Sequence, residues 1–177
     1  MKQNGKNQIS SEKRFGDCYV DALMKTMFMG SGSNLLLRKS VVDEVNGYDE
    51  SFQRNQDIEF LARVCEKYKL AYVDEVLLTI HQEGERTKRT FDDIEKINLY
   101  YLKKFRERIS KLDEKERKRV MAVISLERFR LALHFRRFHD GIKILVENKV
   151  SVRYILNYTK YLLHRCITGK SYGFDGK

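Results

Sequence analysis

The chain has 177 residues, 42% of them hydrophobic and 34% charged, with no Pro and no Trp. That length allows one domain or a small domain with an appendage, and this apolar content with charge of both signs excludes a disordered polyelectrolyte. The net charge of +10 is unevenly placed, because residues 1–90 hold 14 Lys/Arg against 14 Asp/Glu and residues 91–177 hold 21 against 11, so the second half is expected to face something anionic.

Residues 1–15 read as a flexible, polar lead-in. Asp17 can cap a short helix carrying Val20, Leu23 and Met27 at helical spacing. A small-residue loop, Gly30-Ser31-Gly32-Ser33, leads into Asn34-Leu35-Leu36-Leu37, which reads as a short buried strand. Ser40 and Asp43 have the spacing of a capping box that opens a brief helix, and Asn46-Gly47 is a stop signal for it. A second helix starts near Asp57, with Ile58, Leu61, Cys65 and Tyr68 on one apolar face. Residues 69–81 read as extended, and 82–89 as a charged loop.

From Thr90 onward the period is helical. Ile94, Ile97, Tyr101, Phe105, Ile109 and Leu112 form one stripe, and Ala122, Leu126, Phe129 and Leu133 form another. His139-Asp140-Gly141 reads as punctuation before a short helix to Asn148. Ser151 can cap a last helix running to about Ile167. Cys18, Cys65 and Cys166 fit no zinc or redox spacing, and their odd number argues against a disulfide framework. They read as reduced thiols of a cytoplasmic protein. No apolar run reaches the length of a bilayer span, and the polar N-terminus lacks a signal core.

The stretch from Gly30 to Arg89 carries the chemistry. It places in order the Gly30–Asn34 loop, a segment ending in Arg38-Lys39, the turn Gly47-Tyr48-Asp49-Glu50, the pair Gln56-Asp57, Arg63 on the same helix, and His81 after an extended segment. This order resembles the C-terminal half of the catalytic domain of family 2 glycosyltransferases. The resemblance implies an α/β fold, a partial A-type (Rossmann-like) sandwich over residues 16–90, followed by an α-helical, basic appendage over residues 91–177. It also implies transfer of a sugar from a nucleotide-sugar donor to a glycan or lipid-linked acceptor with inversion.

Inverting transfer needs one carboxylate to take the acceptor hydroxyl's proton as the new bond forms. By resemblance Asp57 is that base, and its place at a helix N-terminus favours the ionised form. The alternative is that Asp57 is an N-cap. Gly30, Ser31, Gly32, Asn34, Gln56 and Arg63 are the implied substrate-binding positions, and His81 is the implied metal-proximal residue. Tight-turn glycines, an Arg63 ion pair and a structural His81 are the competing readings. Glu59 reads as a solvated helix residue.

A divalent cation, Mn or Mg, is implied for the complete enzyme. The family's Asp-x-Asp metal motif and nucleotide-binding strands have no counterpart in residues 1–29. A fragment is therefore expected, inactive in isolation, with the donor-binding half lost or supplied by an N-terminal partner chain.

The last helix suggests a further partner. Arg153, Lys160, Arg165 and Lys170 accompany its apolar positions, and no acidic residue occurs between Glu147 and Asp175. A basic amphipathic helix suits an anionic membrane surface, here over residues 151–170 on the inner face of the plasma membrane. Packing against the other tail helices is the alternative. Two other functions stay beside the transferase: a basic helical module that binds nucleic acid, with Arg117-Lys118-Arg119 and Arg136-Arg137 as its footprint, and a non-catalytic glycosyltransferase remnant.

Overall fold

The computed structural model describes residues 2–3, 6–7, 13–27, 32–79, 89–168 and 174–176. These form two units, one of residues 1–19 and 27–88, the other of residues 20–26 and 89–177. Seven helices run through them: α1 Tyr19–Leu23, α2 Lys39–Glu44, α3 Gln56–Lys67, α4 Phe91–Ser110, α5 Glu114–His134, α6 Phe138–Glu147 and α7 Val152–Thr168.

The expected α/β sandwich is overturned. Among the described residues the only paired strands are β1 Lys2–Gln3 and β2 Lys6–Asn7, two residues each and antiparallel. The architecture is helical. Residues 35–38 belong to no strand. Leu35 and Leu37 do pack against Val45, Phe60 and Val64, while Leu36 between them is 99% exposed. The period-two alternation is present, but no neighbouring backbone pairs with it. Residues 71–79 likewise join no sheet, and a single antiparallel bridge ties Leu70 to Gly16. A strand is stable only when its N–H and C=O groups meet a second strand, and the described residues offer none.

In the first unit α2 ends where Asn46 and Gly47 both turn left-handed, with φ near 58° and 60°. The Gly47 N–H then reaches back to the Val42 carbonyl at 2.9 Å. This reversal is the expected Asn-Gly stop. The expected Ser40 cap is not made: α2 begins at Lys39 after Arg38, without a side-chain cap. Lys67 on α3 pairs with Glu44 on α2 at 3.0 Å, and the Tyr68 hydroxyl donates to the same carboxylate. The Tyr68 hydrogen bond, and then Lys67, hold the Glu44 carboxyl below its usual range.

The second unit is organised by α5. Val120, Ala122, Val123, Ile124, Ser125, Leu126, Arg128 and Ala132 are all buried, so the middle of this helix is covered on every side, while Glu114, Lys115, Arg117 and Lys118 at its start and Arg130, Leu133 and His134 near its end are exposed. α4, α6 and α7 pack on it. α4 starts with a reciprocal capping box between Thr90 and Asp93, and Asp113 caps α5 by accepting from the Glu116 N–H at 2.8 Å. Residues 20–26 belong to this unit and bring Leu23 and Met24 into its core. Tyr101, at the centre of α4, donates its hydroxyl to the Leu23 carbonyl at 3.1 Å.

His139-Asp140-Gly141 does not punctuate the chain, because all three lie in the first turn of α6. The break is one step earlier, where Arg136 adopts φ 58°. Gly141 is instead a packing residue. A Cβ there would lie 3.0 Å from the Phe129 ring and 3.4 Å from Ala132 Cβ, so its hydrogen lets α6 sit close to α5. Gly141→Val should therefore destabilise the fold by about 1–3 kcal/mol through overpacking. Urea unfolding followed by far-UV circular dichroism measures this, and a variant as stable as the parent would contradict the close approach.

Candidate functional site

The Gly47–Glu50 turn and the start of α3 build the candidate site. Asp49 accepts from the Ser51 N–H at 2.9 Å and from the Ser51 hydroxyl, and its carbonyl accepts from the Phe52 N–H at 3.1 Å. This local turn sends Phe52 into the core. Asn55, with φ 62°, then redirects the chain into α3.

Arg63 fixes the turn to the helix. Its guanidinium meets buried Glu59 through Nε–Oε1 at 2.5 Å and Nη2–Oε2 at 2.8 Å. It also donates to the Val45 carbonyl and, at 2.6 Å, to the Gly47 carbonyl. Those carbonyls are left over where α2 ends, so one side chain satisfies the end of α2 and holds it on α3. The Phe60 ring lies under the same guanidinium and meets the Tyr48 ring in a tilted contact, with centroids 4.6 Å apart. Arg63 thus forms the ion pair of the competing reading. Glu59 is buried rather than solvated, which corrects the expectation for it.

Asp57 lies in the first turn of α3 and is half-buried. Asn55 occupies the cap position, so Asp57 is not the N-cap. One carboxylate oxygen accepts the Ile58 N–H at 2.9 Å. Gln56 beside it is exposed. The α/β sandwich that the resemblance implies would set Asp57 at the open edge of a small sheet near the Gly30–Asn34 loop, and among the described residues no such edge exists. Gly32 and Asn34 lie in a 3-10 turn over Gly32–Asn34, with Asn34 exposed. Gly30, Ser31 and His81 lie outside the described residues. Gln56, Asp57 and Arg63 therefore share one helix, but Arg63 serves the α2 end rather than the Asp57 end.

Among the described residues no group of three or more His, Cys, Asp or Glu side chains gathers to hold a metal ion. Asp49 is engaged in its own turn, and Asp92 and Asp93 start α4. The described residues do not fit the divalent site that the resemblance implies for a complete enzyme.

A second polar cluster lies in the helical unit, unforeseen in the sequence. Lys25, half-buried, donates to Asn98 Oδ1 at 2.7 Å and sits 5.0 Å over the Tyr101 ring. Arg128 of α5 is paired with Glu95 of α4, Nε lying 3.0 and 3.1 Å from the two carboxylate oxygens. Tyr158 of α7 donates to Glu127 at 2.9 Å, and burial, then Glu127, push its hydroxyl pKa well above the ordinary value. Burial first, and Arg128 second, lower the Lys25 pKa to about 8, while Glu127 and Glu95 oppose that shift. Lys25 lies in the left-handed turn after α1, with φ 59°, and no local pattern in the sequence marks it.

No protein-family model, curated protein or solved structure matches the chain.

Two measurements test these clusters. Arg63→Met should cost about 3–5 kcal/mol, because it leaves the buried Glu59 carboxylate unpaired. Adding Glu59→Gln should recover part of that loss in a double-mutant cycle, and strictly additive losses would refute the coupling. For Lys25 the unfolded chain, with the ordinary value of 10.5, binds the proton more tightly than the folded chain at about 8. The resulting penalty is fully present below pH 8 and is relieved as pH rises towards 10.5. Stability relative to Lys25→Met should thus rise by about 3 kcal/mol across that window. A difference that stays flat with pH would contradict it.

Proposed function

We propose that the chain is the acceptor-side portion of an inverting glycosyltransferase, moving a sugar from a nucleotide-sugar donor to a glycan or lipid-linked acceptor, with Asp57 as general base. The observation that carries this reading is the mounting of Asp57. The Arg63 clamp fixes the helix that bears it, while its own carboxylate takes only the Ile58 N–H among the described residues. A half-buried carboxylate on a braced helix end has acceptor capacity left for a substrate hydroxyl.

In the proposed step the acceptor hydroxyl gives its proton to Asp57. Its oxygen bonds to the anomeric carbon, and the nucleoside diphosphate leaves with the electrons of the broken bond. Asp57 then returns the proton to water. The described residues supply the base and its brace, and the step also needs a donor-binding surface beyond them.

The test is transfer of labelled sugar from UDP- and GDP-sugars to lipid and glycan acceptors extracted from membranes, with manganese present. Asp57→Asn should lower transfer by about 100-fold or more, the scale of general-base catalysis, without loss of helix content. A folded parent that transfers nothing is the inactive fragment lacking its donor-binding part, whereas a variant that matches an active parent shows that Asp57 is not the base.

A further inference from the structure

We infer that α7 docks on an anionic lipid surface through an exposed apolar row with a cationic flank. α7 has two apolar sides. One is packed: Tyr158 is buried, stacks on Tyr161 with centroids 5.9 Å apart, and meets the buried Phe174 ring edge-on at 5.0 Å. The other consists of Val152, Leu156, Leu163 and Ile167, which recur on one helix face and are 57–84% exposed. Among the described residues of the helical unit, none covers that row.

The charge beside it selects the occupant. Arg153 and Lys160 are exposed next to the row, and neither appears in any ion pair among the described residues. No Asp or Glu occurs from Asn148 to Phe174. An apolar row flanked by cations without any acid complements a surface that is apolar beneath and negative at its face, which is an anionic bilayer interface. No described helix is long and apolar enough to cross a membrane, so α7 would lie on the surface rather than span it. This docking does not rest on the transferase reading.

Cys166 allows the test on the full chain. It is exposed, whereas Cys18 and Cys65 are buried, so an environment-sensitive dye can be placed on α7. The dye should shift to the blue, and the chain should float, with phosphatidylcholine vesicles containing about one third phosphatidylglycerol. Pure phosphatidylcholine should bind at least about 10-fold more weakly. Leu156→Glu with Leu163→Glu should weaken binding to the anionic vesicles by a similar factor, as should Arg153→Glu with Lys160→Glu. All four positions are exposed, so circular dichroism should show the helices intact.

Several results would overturn the inference. One is a folded parent that fails to float with anionic vesicles. Another is binding that ignores the leucine pair, which would leave only diffuse attraction by the basic half. A third is self-association lost in Leu156→Glu without any lipid binding, which would assign the row to a second copy of the chain.

Discussion

A desolvated Arg–Glu pair is the fixing point of each unit. Arg63 and Glu59 hold the end of α2 on α3, and Arg128 and Glu95 hold α5 on α4. Removing two charges from water is costly, and their attraction repays it only when the remaining donors are also satisfied. Arg63 meets that condition with the Val45 and Gly47 carbonyls. Arg128 grips the Glu95 carboxylate through both Nε and Nη2. Such pairs add little net stability, but they penalise every arrangement in which either partner is left alone. They therefore specify which helix ends meet, in a chain whose apolar residues alone would accept several packings.

Around the second pair the helical unit is layered by exposure. α5 is covered through its middle, from Val120 to Arg128, and exposed at both ends. Its neighbours each turn one face to it. For α7 that face is aromatic, and Phe174 closes over it, held in place by Arg119, whose Nε donates to the Asp175 carbonyl at 2.5 Å. The return of residues 174–176 to α5 and α7 fixes which side of α7 is inside. The opposite apolar row is thus exposed by construction, and it cannot be an alternative core face that the unit failed to use.

The helical half was legible in the sequence because helix signals are local. The period through Tyr101, Phe105 and Ile109, the Asn46-Gly47 stop and the end near Asn148 are each set by residues within one or two turns. Strands were not legible in the same sense. The Leu35–Leu37 run and the apolar stretches 70–73 and 76–78 describe what a strand would need on its faces, but pairing depends on a distant backbone that no local pattern reports. Gly141 misled for a related reason: a glycine that ends a helix and one that admits a close neighbour look alike until the neighbour is known. Glu59 and Lys25 were missed because burial of a charged residue is decided by its partners, here Arg63 and the Asn98–Tyr101 face.

The same distinction bears on Asp57. Its expected position depended on a sheet edge, a non-local feature that the described residues lack. Its observed position depends on a helix start, a left-handed Asn55 and a clamp six residues downstream, all local to one stretch of chain. A carboxylate placed by local geometry keeps its orientation whether or not a sheet forms beside it. The exposed apolar side chains of 72–78, among them Val73, Val76 and Leu77, show the opposite case, a segment that joins no sheet among the described residues. In this chain the braced helix end that holds Asp57 is self-sufficient, and the segment that would have to bring a sheet to it is not.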